Sequence, residues 1–471
     1  MLYYFLDGLK DLPGFGVFQY ITFRAMLSII TSLVISLLIG KKIIDVLRRN
    51  QIGEVVRDSA EGPDHASKAG TPTMGGLIII AATLIPTLFW GDLKNGYVWL
   101  ILLGTAWMGF IGFVDDYIKV FRKDKRGLQG KFKVVGQVGL GLIVGLTMLF
   151  HPDFMGSRAH LTQLNRLKTS PLLERVGFQQ GDELTRVNGN EYTAAPSGDT
   201  YPDIAMYAVN RTMPNGQTAE KIIPIQKGQR EAIAKELFGP KDKTFIYTTD
   251  FPFFKDYVFD YGNIPVLREW ISPDLLGRII YLLVVIFIIT AVSNGVNLTD
   301  GIDGLAAGTT AIVGAALGVF AYVSGNYVFS NYLHISYIPL SAELLIYTAA
   351  LVGGCLGFLW YNSFPAQVFM GDTGSLALGG AVGILALMVK KELLLPIFCG
   401  IFFAESLSVI LQVTYFKYTK KKYGEGRRIF RMAPLHHHYE KSGIHEAKIS
   451  MRFFLVAIML VVLAFATLKL R

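Results

Sequence analysis

Ten long apolar blocks dominate this sequence, and each is about as long as a helix that crosses a hydrocarbon layer. They lie near 21–40, 74–90, 97–114, 134–150, 279–296, 304–323, 344–361, 374–389, 393–416 and 453–469. None of them alternates polar with apolar residues as the strands of a membrane barrel do. Because lipid cannot satisfy unpaired backbone groups, the blocks predict an all-α polytopic membrane protein with about ten transmembrane helices.

The composition excludes several other classes. Of the 471 residues, 52% are hydrophobic and 17% are charged, whereas soluble proteins carry roughly 25% charged residues. The net charge of +9 would suit nucleic acid, but the basic residues lie in loops between apolar blocks, where they fit membrane orientation better. We therefore expect a lipid bilayer and no nucleic acid as partner. Cys355 and Cys399 lie inside apolar blocks, which favours buried thiols over a disulfide or a metal site.

The basic residues also predict orientation. Lys and Arg number six, seven and ten in the segments 40–73, 115–133 and 417–452. They number three in total in the opposite turns 91–96, 325–343 and 390–392. The basic loops should therefore be cytoplasmic and both termini external. The first ten residues lack the pattern of a removable signal, so we expect the first apolar block to be retained.

The sequence divides into three parts by composition. Residues 1–150 hold four predicted helices with cytoplasmic loops, and 277–471 hold six more. The segment 151–276 between helices 4 and 5 is polar, with 14 basic and 16 acidic residues. Its turn pairs and local alternation predict a large extramembrane insertion of α+β or β-rich fold, on the external (periplasmic) side.

Part of this insertion resembles a known module. The run from Gly177 to Leu184, followed by Val187-Asn188-Gly189, resembles the central strand-turn-strand of PDZ-type domains, which bind peptides at a sheet edge. A plain hairpin with no peptide-binding role is the alternative. The partner of the 151–276 insertion is not predicted.

Acidic residues gather where apolar blocks meet the predicted cytoplasmic loops. Asp115 and Asp116 end the third block, and Asp372 begins the eighth among glycines. After the fifth block, Asn297, Asp300 and Asp303 are spaced by threes and would share one face if helical. Carboxylate and amide oxygens are ligands that Mg²⁺ selects, and Mg²⁺ commonly keeps substrate phosphate in its coordination shell.

Basic and imidazole groups lie on the same predicted side. Lys68 precedes the second block, and Lys131 and Lys133 follow the acid pair; such residues fix topology in many proteins and bind phosphate in others. His436, His437 and His438 are consecutive, an arrangement better suited to phosphate contact than to zinc. Glu405, inside the ninth block, is either functional or paired within the helical bundle. Together these groups suit Mg²⁺-dependent phosphoryl transfer with one substrate embedded in lipid.

Five motifs in order resemble those of the phospho-N-acetylmuramoyl-pentapeptide-transferases, within the polyprenyl-phosphate N-acetylhexosamine-1-phosphate transferase superfamily. They are Lys68–Gly76, Asp115-Asp116, Asn297–Ala306, Phe369–Asp372 and Pro434–His438. The resemblance covers about 1–150 and 270–471. It implies Mg²⁺-dependent transfer of phospho-MurNAc-pentapeptide from UDP-MurNAc-pentapeptide to undecaprenyl phosphate, which yields lipid I and UMP for peptidoglycan biosynthesis. It also implies a bacterial inner-membrane location, a cytoplasmic active site and a homodimer.

The resemblance also implies residue roles. Asp372 would bind Mg²⁺, and Asp115 and Asp116 would act on the polyprenyl phosphate, with one acid either deprotonating that phosphate or attacking as a covalent nucleophile. Phe369 would stack on uracil. The other implied contacts with the nucleotide sugar or its phosphates are Lys68, Thr73, Lys131, Asn297, Asp300, Asp303, His436, His437 and His438.

Two rival functions follow from the same residues. A sister enzyme that uses UDP-GlcNAc is the nearer one, but the Lys68–Gly76 run and the unbroken triple histidine favour the muramoyl-pentapeptide branch. A membrane transporter would explain ten helices and Glu405, but not acids concentrated at one surface. The long insertion departs from the short external loop of typical family members and leaves the cytoplasmic motifs unaffected.

Overall fold

The computed structural model is highly helical and describes most of the chain. The described residues are 2–10, 12–49, 70–124, 126–154, 171–179, 182–187, 190–191, 205–213, 218–230, 232–233, 237, 247–250, 258–262, 264, 272–333 and 335–468.

Fifteen α-helices, α1 to α15, lie within these residues. Their bounds are Leu2–Asp7, Ile21–Arg49, Gly76–Trp90, Gly96–Phe121, Gly130–Phe150, Pro171–Arg175, Pro273–Thr299, Leu305–Gly325, Tyr327–Tyr332, Leu344–Asn362, Gly371–Met388, Leu395–Phe398, Gly400–Tyr423, Leu435–Glu440 and Glu446–Ala466. Six strands, β1 to β6, are Glu183–Val187, Asn190–Glu191, Met206–Thr212, Thr218–Pro224, Thr248–Asp250 and Val258–Asp260.

Eight helical segments in the described part of the chain are long and apolar enough to cross a membrane. They are Ile21–Arg49, Gly96–Phe121, Gly130–Phe150, Pro273–Thr299, Leu305–Gly325, Pro339–Asn362, Gly371–Met388 and Glu446–Ala466. The predicted class, an all-α polytopic membrane protein, is confirmed, and the strands lie in a small insertion. Many apolar side chains on these helices are exposed, as Phe110 and Phe287 are, which fits contact with lipid.

The other two apolar blocks are helical but are not plain spans. The second block forms α3, which has 15 residues, fewer than the roughly 20 of a usual crossing. The ninth block was predicted as one helix, and that detail is wrong, because the chain bends by 80° between Glu392–Phe398 and Gly400–Tyr423. A Cβ on Gly400 would lie 2.8 Å from Leu460, so a glycine lets the last helix pack against the bend.

Small residues bring α2 and α10 close together. Three serines on α2 donate hydrogen bonds to carbonyl oxygens of α10: Ser28 to Ile346 (2.9 Å), Ser32 to Ala350 (2.6 Å) and Ser36 to Gly354 (3.5 Å). Because both series advance in the same direction by four residues, the two helices run parallel. Glycines of α10 face this row, and a Cβ on Gly357 would lie 2.5 Å from Ser36. Close backbone approach of this kind is how membrane helices associate without a hydrophobic driving force.

The chain forms two compact units. We call Met1–Thr147, Tyr247–Tyr322 and Leu340–Arg471 the helical unit, and Met148–Ile246 with Val323–Pro339 the sheet unit. The predicted division of the chain at 150 and 276 stays a prediction.

The sheet unit contains a four-stranded antiparallel sheet in the order β2-β1-β3-β4. The hydrophobic core of this unit contains Leu173, Phe178, Leu184, Tyr207, Val209, Ile223, Ile225 and Ile233. Arg211 donates to both carboxylate oxygens of Asp182, at 2.8 and 2.6 Å. The segment that resembles a PDZ element contains both ends of β1, which pairs with β2 and β3, and its peptide-binding role stays a prediction.

The antiparallel hairpin β5–β6 belongs to the helical unit, although it lies within the predicted insertion. Asp250 of β5 forms an ion pair with Lys391, and both side chains are buried. Tyr261 donates to Glu392 at 3.0 Å, and Tyr247 donates to Asp274 at 2.8 Å. Burial and the neighbouring Asp274 raise the pKa of Tyr247 to about 12, so its hydroxyl remains a donor at neutral pH. These contacts fix the hairpin to the turn after α11 and to the start of α7.

Candidate active site

The ends of two helices bring three carboxylates together. Asp115 and Asp116 lie near the end of α4, and Asp372 lies in the first turn of α11. Each acid offers one oxygen such that these atoms all lie within 4.8 Å of one another. We call this group the acidic cluster. Asp115 and Asp116 are 0% and 2% exposed, so the cluster is set into the protein rather than on a solvated helix end.

Glycines allow the helices to meet at this point. A Cβ on Gly112 of α4 would lie 2.1 Å from the carbonyl oxygen of Asp372. A Cβ on Gly76 of α3 would lie 2.1 Å from the backbone nitrogen of Gly374. Gly371, which starts α11, has φ of +71°, a conformation that favours glycine over residues with a side chain. The spacing of glycines in the sequence therefore positions Asp372 beside the acid pair.

Asp116 binds the start of α11. Its Oδ2 accepts hydrogen bonds from the Thr373 backbone N–H at 2.8 Å and from the Thr373 hydroxyl at 2.6 Å. Its Oδ1 accepts from the Asp372 backbone N–H at 3.2 Å. A carboxylate at a helix N-terminus satisfies free N–H groups and complements the helix dipole. Asp116 therefore holds the first turn of α11 in place.

Two lysines bridge the other two acids. Lys119 lies 2.5 Å from Asp115 Oδ2 and 3.2 Å from Asp372 Oδ2. Lys133 lies 2.9 Å from Asp115 Oδ1 and 2.5 Å from Asp372 Oδ2. Neither lysine stood among the implied site residues. The spacing of Lys119 four residues after Asp115 was a helical signal that could have placed it here, whereas nothing local in the sequence marks Lys133.

Asn297 contacts the acidic cluster, whereas Asp300 and Asp303 do not lie on the same helical face as Asn297. The Asn297 amide donates to Asp372 Oδ1 at 2.8 Å and to Ser375 Oγ at 2.9 Å. Because α7 ends at Thr299, Asp300 and Asp303 leave the helical face on which their spacing would have set them. Asp303 is buried and accepts from the Ala366 backbone N–H at 3.0 Å.

The loop that contains Thr73 pairs with the segment before α11. The Phe369 backbone N–H donates to the Pro72 carbonyl, and the Gly75 backbone N–H donates to the Phe369 carbonyl, both at 2.8 Å. A Cβ on Gly371 would lie 3.0 Å from Thr73 Oγ1 and 2.6 Å from Asp116 Oδ2. Thr73 therefore lies beside the acidic cluster. Lys68 lies outside the described residues.

None of the contacts found for Lys131 among the described residues joins it to the acidic cluster. Its side chain is exposed, and its ammonium lies 5.2 Å from the ring centre of Phe132.

The three histidines lie in the short helix α14 and have different neighbours. His436 is buried, with Nδ1 3.2 Å from Glu405 Oε2. His437 Nδ1 lies 3.0 Å from Glu440, and His438 Nδ1 accepts from the Arg431 backbone N–H at 3.1 Å. A Cβ on Gly301 would lie 2.1 Å from His436 Nε2, so this segment packs on the turn that follows Asn297. The arrangement does not gather the three rings around one ion.

Glu405 binds the histidine segment. Its carboxylate accepts from the Leu435 backbone N–H at 2.6 Å and from the His436 backbone N–H at 3.2 Å. Gln412, further along α13, exchanges hydrogen bonds with the backbone of Phe430 at 3.0 and 3.1 Å. Of the two readings of the intramembrane acid, pairing within the protein is therefore the one that the contacts favour.

The donor set of the acidic cluster fits a hard divalent cation. Among the described residues, these three acids are the group whose ligand atoms come together closely enough to hold a metal ion. Carboxylate oxygens with a nearby amide suit Mg²⁺. The ammonium groups of Lys119 and Lys133 already contact carboxylate oxygens of the cluster, so the negative charge of the cluster attracts cations.

Comparisons with known proteins place this chain. The model of Glycosyl transferase family 4 matches residues 263–390, and Phospho-N-acetylmuramoyl-pentapeptide-transferase signature 1 matches residues 68–80. The phospho-N-acetylmuramoyl-pentapeptide-transferase of Flavobacterium psychrophilum is 50% identical over the full length of both chains. The proteins of that name from Flavobacterium johnsoniae and Parabacteroides distasonis are 48% and 46% identical, again over the full length of both chains.

The chain belongs to the phospho-N-acetylmuramoyl-pentapeptide-transferase family. The family that the five motifs predict is thereby confirmed, and the chain is an enzyme of the transferase class. The alignments cover the whole chain, including 151–276. An insertion of this length is therefore shared with these relatives and is not private to this chain.

Proposed function

We propose that this enzyme transfers phospho-MurNAc-pentapeptide from UDP-MurNAc-pentapeptide to undecaprenyl phosphate in a Mg²⁺-dependent reaction, giving lipid I and UMP. The names of full-length relatives at 41–50% identity support this reaction over the UDP-GlcNAc alternative. We further propose that the reaction takes place at the cytoplasmic face of the bacterial inner membrane, since the loops around the acidic cluster are the basic ones. A homodimer is part of the proposal.

The observation that carries the proposal is the acidic cluster itself. Three motifs that are far apart in the sequence, around residues 115, 297 and 372, contribute side chains that contact one another. A transporter has no need for acids, an amide and lysines that converge at the ends of helices, whereas transfer of a phosphoryl group between two anionic substrates does.

The acidic cluster would hold the cation, with Asp372 as its principal ligand. When bound, Mg²⁺ supplies positive charge that offsets the developing charge on the diphosphate. Asn297 orients Asp372, because its amide donates to one oxygen and leaves the other directed toward the lysines. The first turn of α11 is fixed by Asp116, so the position of Asp372 is set before substrates arrive.

Lys119 and Lys133 would bind the phosphates of the nucleotide sugar. Lys119 and Lys133 are 37% and 21% exposed and contact carboxylates, which lets them exchange a carboxylate for a phosphate oxygen of similar geometry and charge. Their ammonium groups would stabilise the departing UMP by charge-assisted hydrogen bonds.

The contacts of the acid pair support direct attack by the lipid phosphate. Both oxygens of Asp116 accept hydrogen bonds from the start of α11, and both oxygens of Asp115 contact lysines. These donors hold each carboxylate in place and lower its nucleophilicity, but a carboxylate has about four lone-pair sites, so Asp115 can still accept a proton. In this proposal Asp115 accepts or relays the proton of the lipid phosphate, and Asp116 acts by positioning.

The reaction is tested by incubating detergent-purified protein with Mg²⁺, undecaprenyl phosphate and either UDP-MurNAc-pentapeptide or UDP-GlcNAc, and measuring released UMP. We expect UMP from the first nucleotide sugar only. Release from UDP-GlcNAc alone would assign the enzyme to the sister branch, and release from neither would contradict the proposed reaction.

A further inference from the structure

The end of α13 and the segment after it form a built arm rather than a loose loop. We call residues 412–431 the basic arm. Gly424 ends the helix with φ of +78°, and the chain then returns along α13. Thr419 Oγ1 accepts from the Arg427 backbone N–H at 2.8 Å, and Gln412 Oε1 accepts from the backbone N–H groups of Ile429 and Phe430, both at 3.0 Å. A Cβ on Gly426 would lie 2.3 Å from the Phe416 ring.

This arm concentrates positive charge on an exposed surface. It contains seven basic residues and a single acid, Glu425. All seven basic side chains are exposed: Lys417, Lys420, Lys421, Lys422, Arg427, Arg428 and Arg431. None of the ion pairs found among the described residues involves these seven side chains. Arg431 donates a hydrogen bond to the Lys441 carbonyl at 3.1 Å.

Aromatic and aliphatic side chains lie between these charges. Tyr418, Tyr423 and Ile429 are exposed. The Lys422 ammonium lies 5.7 Å from the Tyr418 ring centre and 5.2 Å from that of Tyr423, and the Arg427 guanidinium lies 4.9 Å from the Tyr423 ring centre. Exposed tyrosines among lysines are typical of the interfacial region of a bilayer.

The position of the arm on α13 fits a membrane surface. The preceding part of the same helix, with exposed Leu407, Ile410 and Leu411, is apolar and passes directly into the basic residues. A basic cluster next to the end of a transmembrane helix is attracted to anionic lipids by about 1 kcal/mol for each Lys or Arg near the surface. Nucleic acid would not require the apolar side chains that lie between the charges.

We propose that the basic arm binds the head groups of anionic membrane lipids in the leaflet beside it. The lysines and arginines contact the lipid phosphates, and the tyrosines and Ile429 enter the head-group region. The arm joins the histidine segment through the contact of Arg431 with His438, so lipid binding holds the arm, and with it the base of that segment, at the membrane surface.

The test uses a fluorophore on the tip of the arm in the full-length protein. Cys355 and Cys399 are buried, so a fluorophore attached through Glu425→Cys reports on the tip alone. The labelled protein is reconstituted into nanodiscs of phosphatidylcholine. Each preparation contains the same fraction of nitroxide-labelled lipid, with either a phosphatidylglycerol or a phosphatidylcholine head group. We expect quenching by the phosphatidylglycerol probe to exceed that by the phosphatidylcholine probe several-fold, and to fall as salt is raised.

Two matched triple variants distinguish the effect of positive charge in the basic arm from the effect of positive charge elsewhere in the protein. Lys420→Gln, Lys421→Gln and Lys422→Gln together should remove most of the preference for phosphatidylglycerol, so that the two probes quench almost equally. Lys41→Gln, Lys42→Gln and Arg122→Gln remove the same charge from exposed residues elsewhere and should leave the preference unchanged. Equal quenching by both lipids in the unsubstituted arm, or a preference that survives the first triple variant, would overturn the proposal. If added transfer RNA changed the signal of the fluorophore and phosphatidylglycerol did not, the arm would bind nucleic acid instead.

Discussion

Asp116 binds the first turn of the helix that carries Asp372, through the backbone N–H groups of Asp372 and Thr373 at 3.2 and 2.8 Å. The two acids therefore have different roles, although both belong to the acidic cluster. Asp116 fixes a helix, and Asp372 directs an oxygen toward Lys119 and Lys133. Substitutions of the two should fail in different ways.

Asp116→Ala should lower both stability and activity. It removes the acceptor of two backbone N–H groups and one hydroxyl at a buried position, and each buried donor left without a partner costs about 1–3 kcal/mol. Asp372→Asn keeps the size of the side chain and should reduce UMP release by a hundredfold or more while the thermal unfolding midpoint stays near that of the parent. Unfolding of both variants in detergent, followed by fluorescence, checks this. Equal loss of stability in the two would contradict the separation of roles.

Lys133→Ala should change the response to metal and substrate in opposite directions. The substitution removes an ammonium group that lies 2.5 Å from Asp372, so Mg²⁺ meets less competition and half-saturates the enzyme at a lower concentration. The KM for the UDP-sugar should rise about tenfold or more, the effect of losing one charge-assisted hydrogen bond.

Arg122→Ala is the control for this variant, since Arg122 is an exposed basic residue at the end of α4, eleven positions before Lys133. Steady-state rates over a range of Mg²⁺ and UDP-sugar concentrations give both constants. The account of Lys133 is wrong if the two variants behave alike, or if both constants of Lys133→Ala move in the same direction.

Glu405→Gln should loosen the histidine segment. Its carboxylate accepts two backbone N–H groups at the start of α14, and an amide offers one acceptor oxygen where the carboxylate offers two. We expect a loss of about 1–3 kcal/mol in the local stability of this segment, seen as faster hydrogen exchange over 433–441. Glu425→Gln, at an exposed acid of the basic arm, serves as the control, and its segment 433–441 should exchange at the parent rate. Unchanged exchange in Glu405→Gln would show that the segment is held by other contacts.

The hairpin β5–β6 should be essential to the helical unit. Asp250→Ala leaves the buried ammonium of Lys391 without this carboxylate, and breaking a buried ion pair costs about 3–5 kcal/mol. The double variant Asp250→Leu with Lys391→Met removes both charges and should recover most of the lost thermal stability. Thermal unfolding of the single and double variants measures this. A double variant as unstable as the single one would contradict a role for the charges.

Much of the helical frame could be predicted from the sequence, because apolar blocks of sixteen or more residues have few alternatives in lipid. The bend at Cys399 could not, since it depends on how Leu460 packs against Gly400, a contact between residues about sixty positions apart. The docking of β5 on Lys391 has the same origin. It arises from tertiary contacts that leave no local pattern.

The candidate site shows the same division. Asp115, Asp116 and Asp372 were identifiable because adjacent acids and a Gly-Asp pair stood at the ends of apolar blocks. Lys133 was one basic loop residue among many, and only the meeting of α5 with the cluster singles it out. The spacing of Asn297, Asp300 and Asp303 suggested one helical face, but α7 ends at Thr299 and separates them.

The central claim, that the acidic cluster binds the divalent ion, is tested most directly by Mn²⁺ binding in place of Mg²⁺. The loss of the free-ion electron paramagnetic resonance signal counts the bound ions on the purified protein. We predict one tight site in the parent and in Asp300→Asn, and its loss in Asp372→Asn. A tight site that persists in Asp372→Asn would contradict the account.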